Sequence, residues 1–209
     1  MKLIISIVPR NKGEAITEAV RKIGSSGATI LFGKGTAKNP ILGLFGFGTS
    51  NKDLIYILAK NSECEKFNQT IIDFTKNEKI GFGVLFNVDC DRILKNGSIE
   101  IEEGENFMAT HTLITVILNA GLAEDTMAVA RKAGASGGTV VNARGTGKEE
   151  DEKFFGITIV PDKEMLIILA QKEQEQDILE AIRKLPYLQE KGTGITYCTD
   201  VNNFSLLGK

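Results

Sequence analysis

Along this chain the spacing of apolar positions changes in a set order. Leu3 to Val8 is a short β-branched run and predicts a strand, and Ile16, Ala19, Val20 and Ile23 follow at helical spacing. Gly24 ends that helix, and Thr29 to Phe32 predicts a second strand before a long loop. Leu54 to Ala59 predicts a third strand. Ser62 with Glu65 then has the spacing of a capping box, and Phe67, Ile71 and Phe74 supply a buried stripe for the next helix. Val84 to Val88 closes the series as a fourth strand.

The same order returns downstream. A shift of 110 residues lays Leu3, Ile4 and Ile7 on Leu113, Ile114 and Ile117, and Arg21, Lys22, Gly24, Ser26, Gly27 and Thr29 on identical residues from Arg131 to Thr139. A shift of 111 lays LIYILA at Leu54 on MLIILA at Met165, and Gly81, Gly83 and Asp89 on Gly192, Gly194 and Asp200. Identities kept in one order over such a length predict a tandem duplication. Ile178, Ile182 and Leu185 mark the second helix of the second copy.

Each copy therefore reads βαββαβ, and the fold class is α+β: two ferredoxin-like domains in tandem, with antiparallel sheets. The expected ranges are 1–94 and 111–209, joined by a polar, acidic connector over 95–110 whose SIEI piece has the pattern of an edge strand. Two helices on one sheet face leave the other face to be covered by the second copy or by other chains, so a homo-oligomer is expected.

Composition narrows the function classes. With 25 basic and 27 acidic residues the net charge is -2, which lacks the basic excess that binding to a phosphate backbone requires. No apolar run reaches the roughly 18–20 residues of a membrane span, and Pro9 and Arg10 interrupt the opening apolar run. The expectation is a cytoplasmic protein with neither nucleic acid nor membrane as partner. Cys64, Cys90 and Cys198 lie outside any CxxC pattern and suit reduced thiols in packing roles.

Both copies place a glycine- and threonine-containing basic turn after the second strand, Lys34-Gly35-Thr36-Ala37-Lys38 and Arg144-Gly145-Thr146-Gly147-Lys148. Small residues let backbone N–H groups approach an anion, and the lysine adds charge; the plainer reading is a turn that opens a long loop. A glycine pair opens the fourth strand, Gly81-Phe82-Gly83 and Gly192-Thr193-Gly194, where an ordinary tight turn is the plainer reading.

On a βαββαβ frame these pieces resemble the P-II family of nitrogen-regulatory signal proteins, with ARGTGK matching the motif before that family's T-loop and DCDRILK, from Asp89, the stretch after its fourth strand. The resemblance implies a trimeric or pseudo-symmetric assembly with ligand clefts between domains, an adenine nucleotide (ATP, ADP or AMP) as effector, and regulation of a protein partner through loops 39–50 and 148–156. Carried over by position, the ligand-binding residues are Gly145, Gly147, Lys148, Gly192 and Gly194 in the second copy, and Gly35, Lys38, Gly81, Gly83 and Lys95 in the first. The phosphate-facing lysine of the family's glycine turn is replaced by Ile195 and Val84, and the basic pair near the C-terminus by Leu206 and Gly208. An ACT-like amino-acid-binding module and an oligomeric scaffold without ligand share the same frame.

Catalytic chemistry has no carrier. The single histidine, His111, ends the connector, no Cys/His set has metal-ligand spacing, and the acidic runs IEIEEGE and KEEDEK form no acid/base pair, so the expectation is a non-enzyme with no catalytic or metal residues. The two long loops differ: NPILGLFGFGTS, from Asn39, is apolar and KEEDEK, from Lys148, is acidic. Deleting Ile41 to Phe47 should dissociate the oligomer, and an unchanged mass in light scattering would sink that idea.

Overall fold

The computed structural model describes residues 1–36, 50–90, 92–95, 98–101, 109–144, 153–154, 157–158, 162–189 and 193–208. In chain order the first half contributes β1 (Lys2–Pro9), α1 (Gly13–Lys22), β2 (Thr29–Gly35), β3 (Ser50–Ala59), α2 (Asn61–Thr75), β4 (Gly83–Asp89), β5 (Arg92–Lys95) and β6 (Ser98–Ile101). The second half contributes β7 (His111–Asn119), α3 (Ala123–Lys132), β8 (Gly138–Arg144), β9 (Lys153–Phe154), β10 (Ile157–Thr158), β11 (Asp162–Gln171), α4 (Glu175–Arg183) and β12 (Gly194–Leu207).

Two compact units result, and neither is a contiguous half of the chain. The first holds Met1–Phe32, Asn51–His111 and Thr199–Lys209; the second holds Gly33–Ser50 and Thr112–Cys198. Their four boundaries fall inside β2, β3, β7 and β12.

In the first unit β1 is central. It pairs antiparallel with β3, from Lys2↔Ala59 to Pro9↔Lys52, and with β4, from Lys2↔Asp89 to Ile7↔Val84. The order runs β4-β1-β3-β2, and the end of β12 adds to β4 through Asn202↔Asn87 and Leu207↔Gly83. That ladder shifts register between Asn202 and Ser205, where Asn203 takes a left-handed φ of 48°. The connector region is partly regular: β5 and the SIEI strand β6 form an antiparallel hairpin, Arg92↔Ile101 to Lys95↔Ser98.

The second unit repeats the order as β12-β7-β11-β8, with β11 and β8 paired from Asp162↔Arg144 to Ile168↔Gly138. Gly33–Gly35 of β2 adds antiparallel to β8, Gly35 opposite Thr139. Ile157 pairs with Phe154 in the short β9–β10 hairpin.

Helices cover one face of each sheet because their apolar positions follow the 3.6-residue period. In the first unit Ile16 and Val20 of α1 and Phe67 and Ile71 of α2 pack on Ile4 and Ile57; in the second Met127 of α3 and Ile178 of α4 pack on Ile114 and Leu166. Each fully buried Ile, Leu or Phe contributes about 1.5–3 kcal/mol. Ile5, Leu54 and Phe86, on the sheet face away from the helices, are buried as well.

Three local expectations are corrected. Phe74 is 45% exposed, because the inward stripe of α2 runs through Cys64, Phe67, Asn68, Ile71 and Thr75, leaving Phe74 on the flank. The capping arrangement sits two residues earlier than Ser62 and Glu65: the Lys60 N–H donates to Glu63 Oε2 at 3.4 Å, and the helix starts at Asn61. Leu185 lies beyond the end of α4, half-buried.

The helix ends repeat between units. Gly24 (φ 116°) and Gly134 (φ 106°) close α1 and α3 in left-handed conformations, with Ser25 N–H donating to Val20 O at 3.3 Å and Ala135 N–H to Ala130 O at 3.0 Å. At the opposite ends a carboxylate from the third strand accepts the first helical amides. Asp53 Oδ2 takes Gly13 N–H at 3.1 Å, and Glu164 Oε2 takes Gly121 N–H at 3.0 Å and Ala123 N–H at 3.1 Å. Asp53 is buried and its other oxygen meets Arg10 Nη1 at 3.3 Å, whereas Glu164 is half-buried.

Asp53→Ala strands a buried amide and a guanidinium together, so we expect a loss of about 2 kcal/mol in urea unfolding. For Glu164→Ala, partly solvated, we expect about 1 kcal/mol; equal losses would show that burial of Asp53 does not set its weight.

Candidate functional site

Of the residues that the sequence points to for ligand binding, Lys38, Gly145, Gly147, Lys148 and Gly192 lie outside the described residues. Gly35 and Gly194 belong to the second unit, Gly81, Gly83 and Lys95 to the first. Within the second unit Gly35 is on β2 beside β8 and Gly194 on β12 beside β7, with β11 between those neighbours, so the two are at opposite ends of the strand order. Lys95 ends β5 opposite Ser98.

The turn after Gly35 is tied down by its backbone. Thr36 N–H and Thr36 Oγ1 both donate to Gly138 O, at 2.8 and 2.9 Å, and Thr36 Oγ1 accepts from Gly138 N–H at 2.9 Å. Arg131, in the last turn of α3, donates through Nη2 to Thr36 O. Thr36 is 5% exposed, so the base of this loop is a buried, fully bonded anchor. A Cβ on Gly138 would lie 2.9 Å from Ile167 O and 3.0 Å from Met127 Sδ, which leaves room for glycine alone. Sequence reasoning missed Arg131 as the brace of this turn. Its identity with Arg21 in the repeat was the available signal, yet Arg21 pairs with Glu18 on its own helix instead.

The glycine pair has backbone reasons. Gly81 holds a φ of 77° in the turn before β4. A Cβ on Gly83 would meet Ile7 O at 2.3 Å, and one on Gly194 would meet Leu188 Cδ2 at 2.6 Å and Ile117 O at 2.9 Å. The second glycine of each pair is thus where the fourth strand presses on the first.

Gly194 also lines the described groove of the second unit, a cavity of about 380 Å³ between α4, the turn Pro186–Gln189 and the start of β12. Leu179, Ile182 and Leu188 supply apolar surface, and Gln176, Glu180 and Arg183 the polar side. Arg183 Nη2 donates to Glu180 Oε2 at 2.7 Å. That hydrogen bond, and then the guanidinium charge, hold the Glu180 carboxyl below its ordinary value; Glu180 in turn raises Arg183. Both groups are exposed and prefer each other, so the groove offers an already paired ion pair and apolar surface.

Among the described residues no group of three or more His, Cys, Asp and Glu side chains is placed to hold a metal ion, and no helix is long and apolar enough to cross a membrane. His111 stacks on Phe204 at 4.3 Å between ring centroids, with Nδ1 2.9 Å from Thr110 Oγ1. Its ring is held by these two contacts, one aromatic and one polar.

Replacing the glycines separates the two backbone demands. Gly83→Ala should cost about 2–3 kcal/mol in thermal unfolding through the Ile7 carbonyl, and Gly194→Ala a similar amount. Gly81→Ala, which strains only φ, should cost about 1 kcal/mol; a larger loss at Gly81 than at Gly83 would contradict the close-approach argument.

No curated protein matches the chain. The family model described as Nitrogen regulatory protein P-II matches residues 111–207, the stretch from β7 to the end of β12. Proteins of that family are regulatory signal transducers that form oligomers and act on partner proteins. Residues 111–207 of this chain are thus similar to the nitrogen regulatory protein P-II family.

Proposed function

We propose that this protein is a P-II-like regulatory signal protein of the cytoplasm. In this reading it binds a small effector, an adenine nucleotide, at clefts between domains and controls a partner protein of nitrogen metabolism through loops 39–50 and 148–156. The observation that carries the reading is the family match over 111–207.

The same reading makes the whole chain two ferredoxin-like copies produced by duplication. Support comes from the two identical strand orders, the paired helix-closing glycines Gly24 and Gly134, and the carboxylates Asp53 and Glu164 at equivalent helix starts. Further support comes from the start of the second helix, where Gln171 N–H donates to Gln174 Oε1 at 3.3 Å as Lys60 N–H does to Glu63. Lys148 supplies the positive charge that a phosphate would need beside the Gly145–Gly147 turn. Oligomerisation, as a trimer or a pseudo-symmetric assembly, belongs to this proposal.

A second reading, an oligomeric scaffold that has given up the nucleotide, is favoured by one observation. Gly83 and Gly194 are required by strand packing whether or not phosphate binds, and the residues after them are Val84 and Ile195 rather than lysine.

Calorimetry with ATP, ADP, AMP and cyclic dinucleotides separates the two. We expect binding of an adenine nucleotide by the unaltered chain and at least a ten-fold weakening in Lys148→Ala, the loss of one charge-assisted contact. Silence with every nucleotide would favour the scaffold.

A further inference from the structure

β12 changes neighbour along its length. It starts beside β7, and its ladder with β4 covers only Asn202 to Leu207. Thr193 O accepts Asn119 N–H at 3.2 Å, so the backbone of Thr193 faces β7. Backbone groups alternate sides along a strand, which turns the N–H and C=O of Gly194 and Thr196 away from β7 and toward the groove that both residues line. Among the described residues nothing bonds to them on that side.

The repeat shows what belongs at such an edge. Gly83, Val84, Leu85 and Phe86 of β4 occupy the positions of Gly194, Ile195, Thr196 and Tyr197. In the first unit an antiparallel strand takes the edge, with Leu207 opposite Gly83 and Ser205 opposite Leu85. Phe86 is fully buried, whereas Tyr197 is 47% and Ile195 61% exposed. The run Gly194 to Tyr197 carries no lysine or proline of the kind that guards a solvent-facing edge. Beside it Leu179 and Leu188 line the groove, both half-buried, with Glu180 and Arg183 on the polar side.

We propose that a second copy of this chain supplies the missing strand, the starts of the two β12 strands pairing antiparallel about a two-fold axis at Ile195. Gly194 then stands opposite the partner's Thr196, and each donates its N–H to the carbonyl of the other. Ile195 meets the partner's Ile195 in the close, non-hydrogen-bonded position with Tyr197 on the diagonal, which buries both exposed apolar side chains. On the groove side the axis sets Glu180 of each copy toward Arg183 of the other. A rim that holds both signs of charge is complementary to itself, and this favours a second copy over an unrelated strand. The contact uses no effector, so it holds under either reading of the function given above.

Light scattering on the full chain tests the contact, with thermal unfolding to check that each variant folds. Expected is a mass equal to an even number of chains, halved in Ile195→Lys, whose like charges would face each other across the axis. Thr196→Pro should halve it too, because the N–H that proline removes lies off the β7 ladder. Ile195→Cys, mildly oxidised, should form disulfide-linked pairs that the unaltered chain does not, since Cα atoms about 4.5 Å apart suit a disulfide. A monomeric unaltered chain would overturn the proposal and leave the edge to a strand from another protein. An unchanged mass in folded Ile195→Lys, or no linked pair from Ile195→Cys, would overturn it as well. None of these outcomes bears on nucleotide binding, which calorimetry reads separately.

Discussion

A carboxylate reaching from the third strand to the first helix ties sheet and helix together in each unit. Helix starts carry unsatisfied N–H groups and the positive end of the helix dipole, so an anion there satisfies both. Asp53 does this from a buried position while also meeting Arg10, and the same guanidinium lies 4.1 Å over the ring of the exposed Phe32. Glu164 does it with one oxygen shared between two amides. The turn that leads into each helix needs a left-handed residue, Asn11 at φ 67° and Gly121 at φ 90°, which sets the amides facing the carboxylate. With α1 and α3 so placed, their apolar faces meet the central strands.

The glycines show how one residue type answers several demands. Gly24 and Gly134 serve φ, Gly83 and Gly194 serve close strand approach, and Gly138 makes room for the side chains of its neighbours and the Thr36 anchor. A glycine-rich turn invites a ligand reading at every glycine, because small residues let backbone N–H groups approach an anion. Here Gly81, Gly83 and Gly194 each have a structural duty, and the side chain that gives the phosphate reading its charge is Lys148.

Between the two units the cores differ more than the frames. Apolar residues at Val116, Leu179 and Cys198 complete the second core, whereas Ser6, Asn68 and Asn87 put oxygens into the first. The wider frame tolerates this because Ile4, Ile57, Phe67 and Ile71 still surround them with apolar contact.

Much of the fold was legible in the chain. Strand and helix positions followed from β-branched runs and helical spacing, and Gly24 marked a helix end because a left-handed cap needs a residue without Cβ. The shift of period at Phe74 was misread, since spacing alone cannot say whether residue 74 or 75 completes a stripe; packing put Thr75 inside. The repeat itself pointed to the glycine turns, but not to the partners of Thr36. By itself, then, the sequence determined the order of elements, the repeated frame and the resemblance carried by ARGTGK. Only tertiary structure decided that Gly33–Gly35 pairs with β8, that Asn202–Leu207 pairs with β4, and that Arg131 rather than Arg21 braces the loop base. Those are pairings of residues some hundred positions apart, and strand edges and arginines carry no local signal of which distant backbone they will meet.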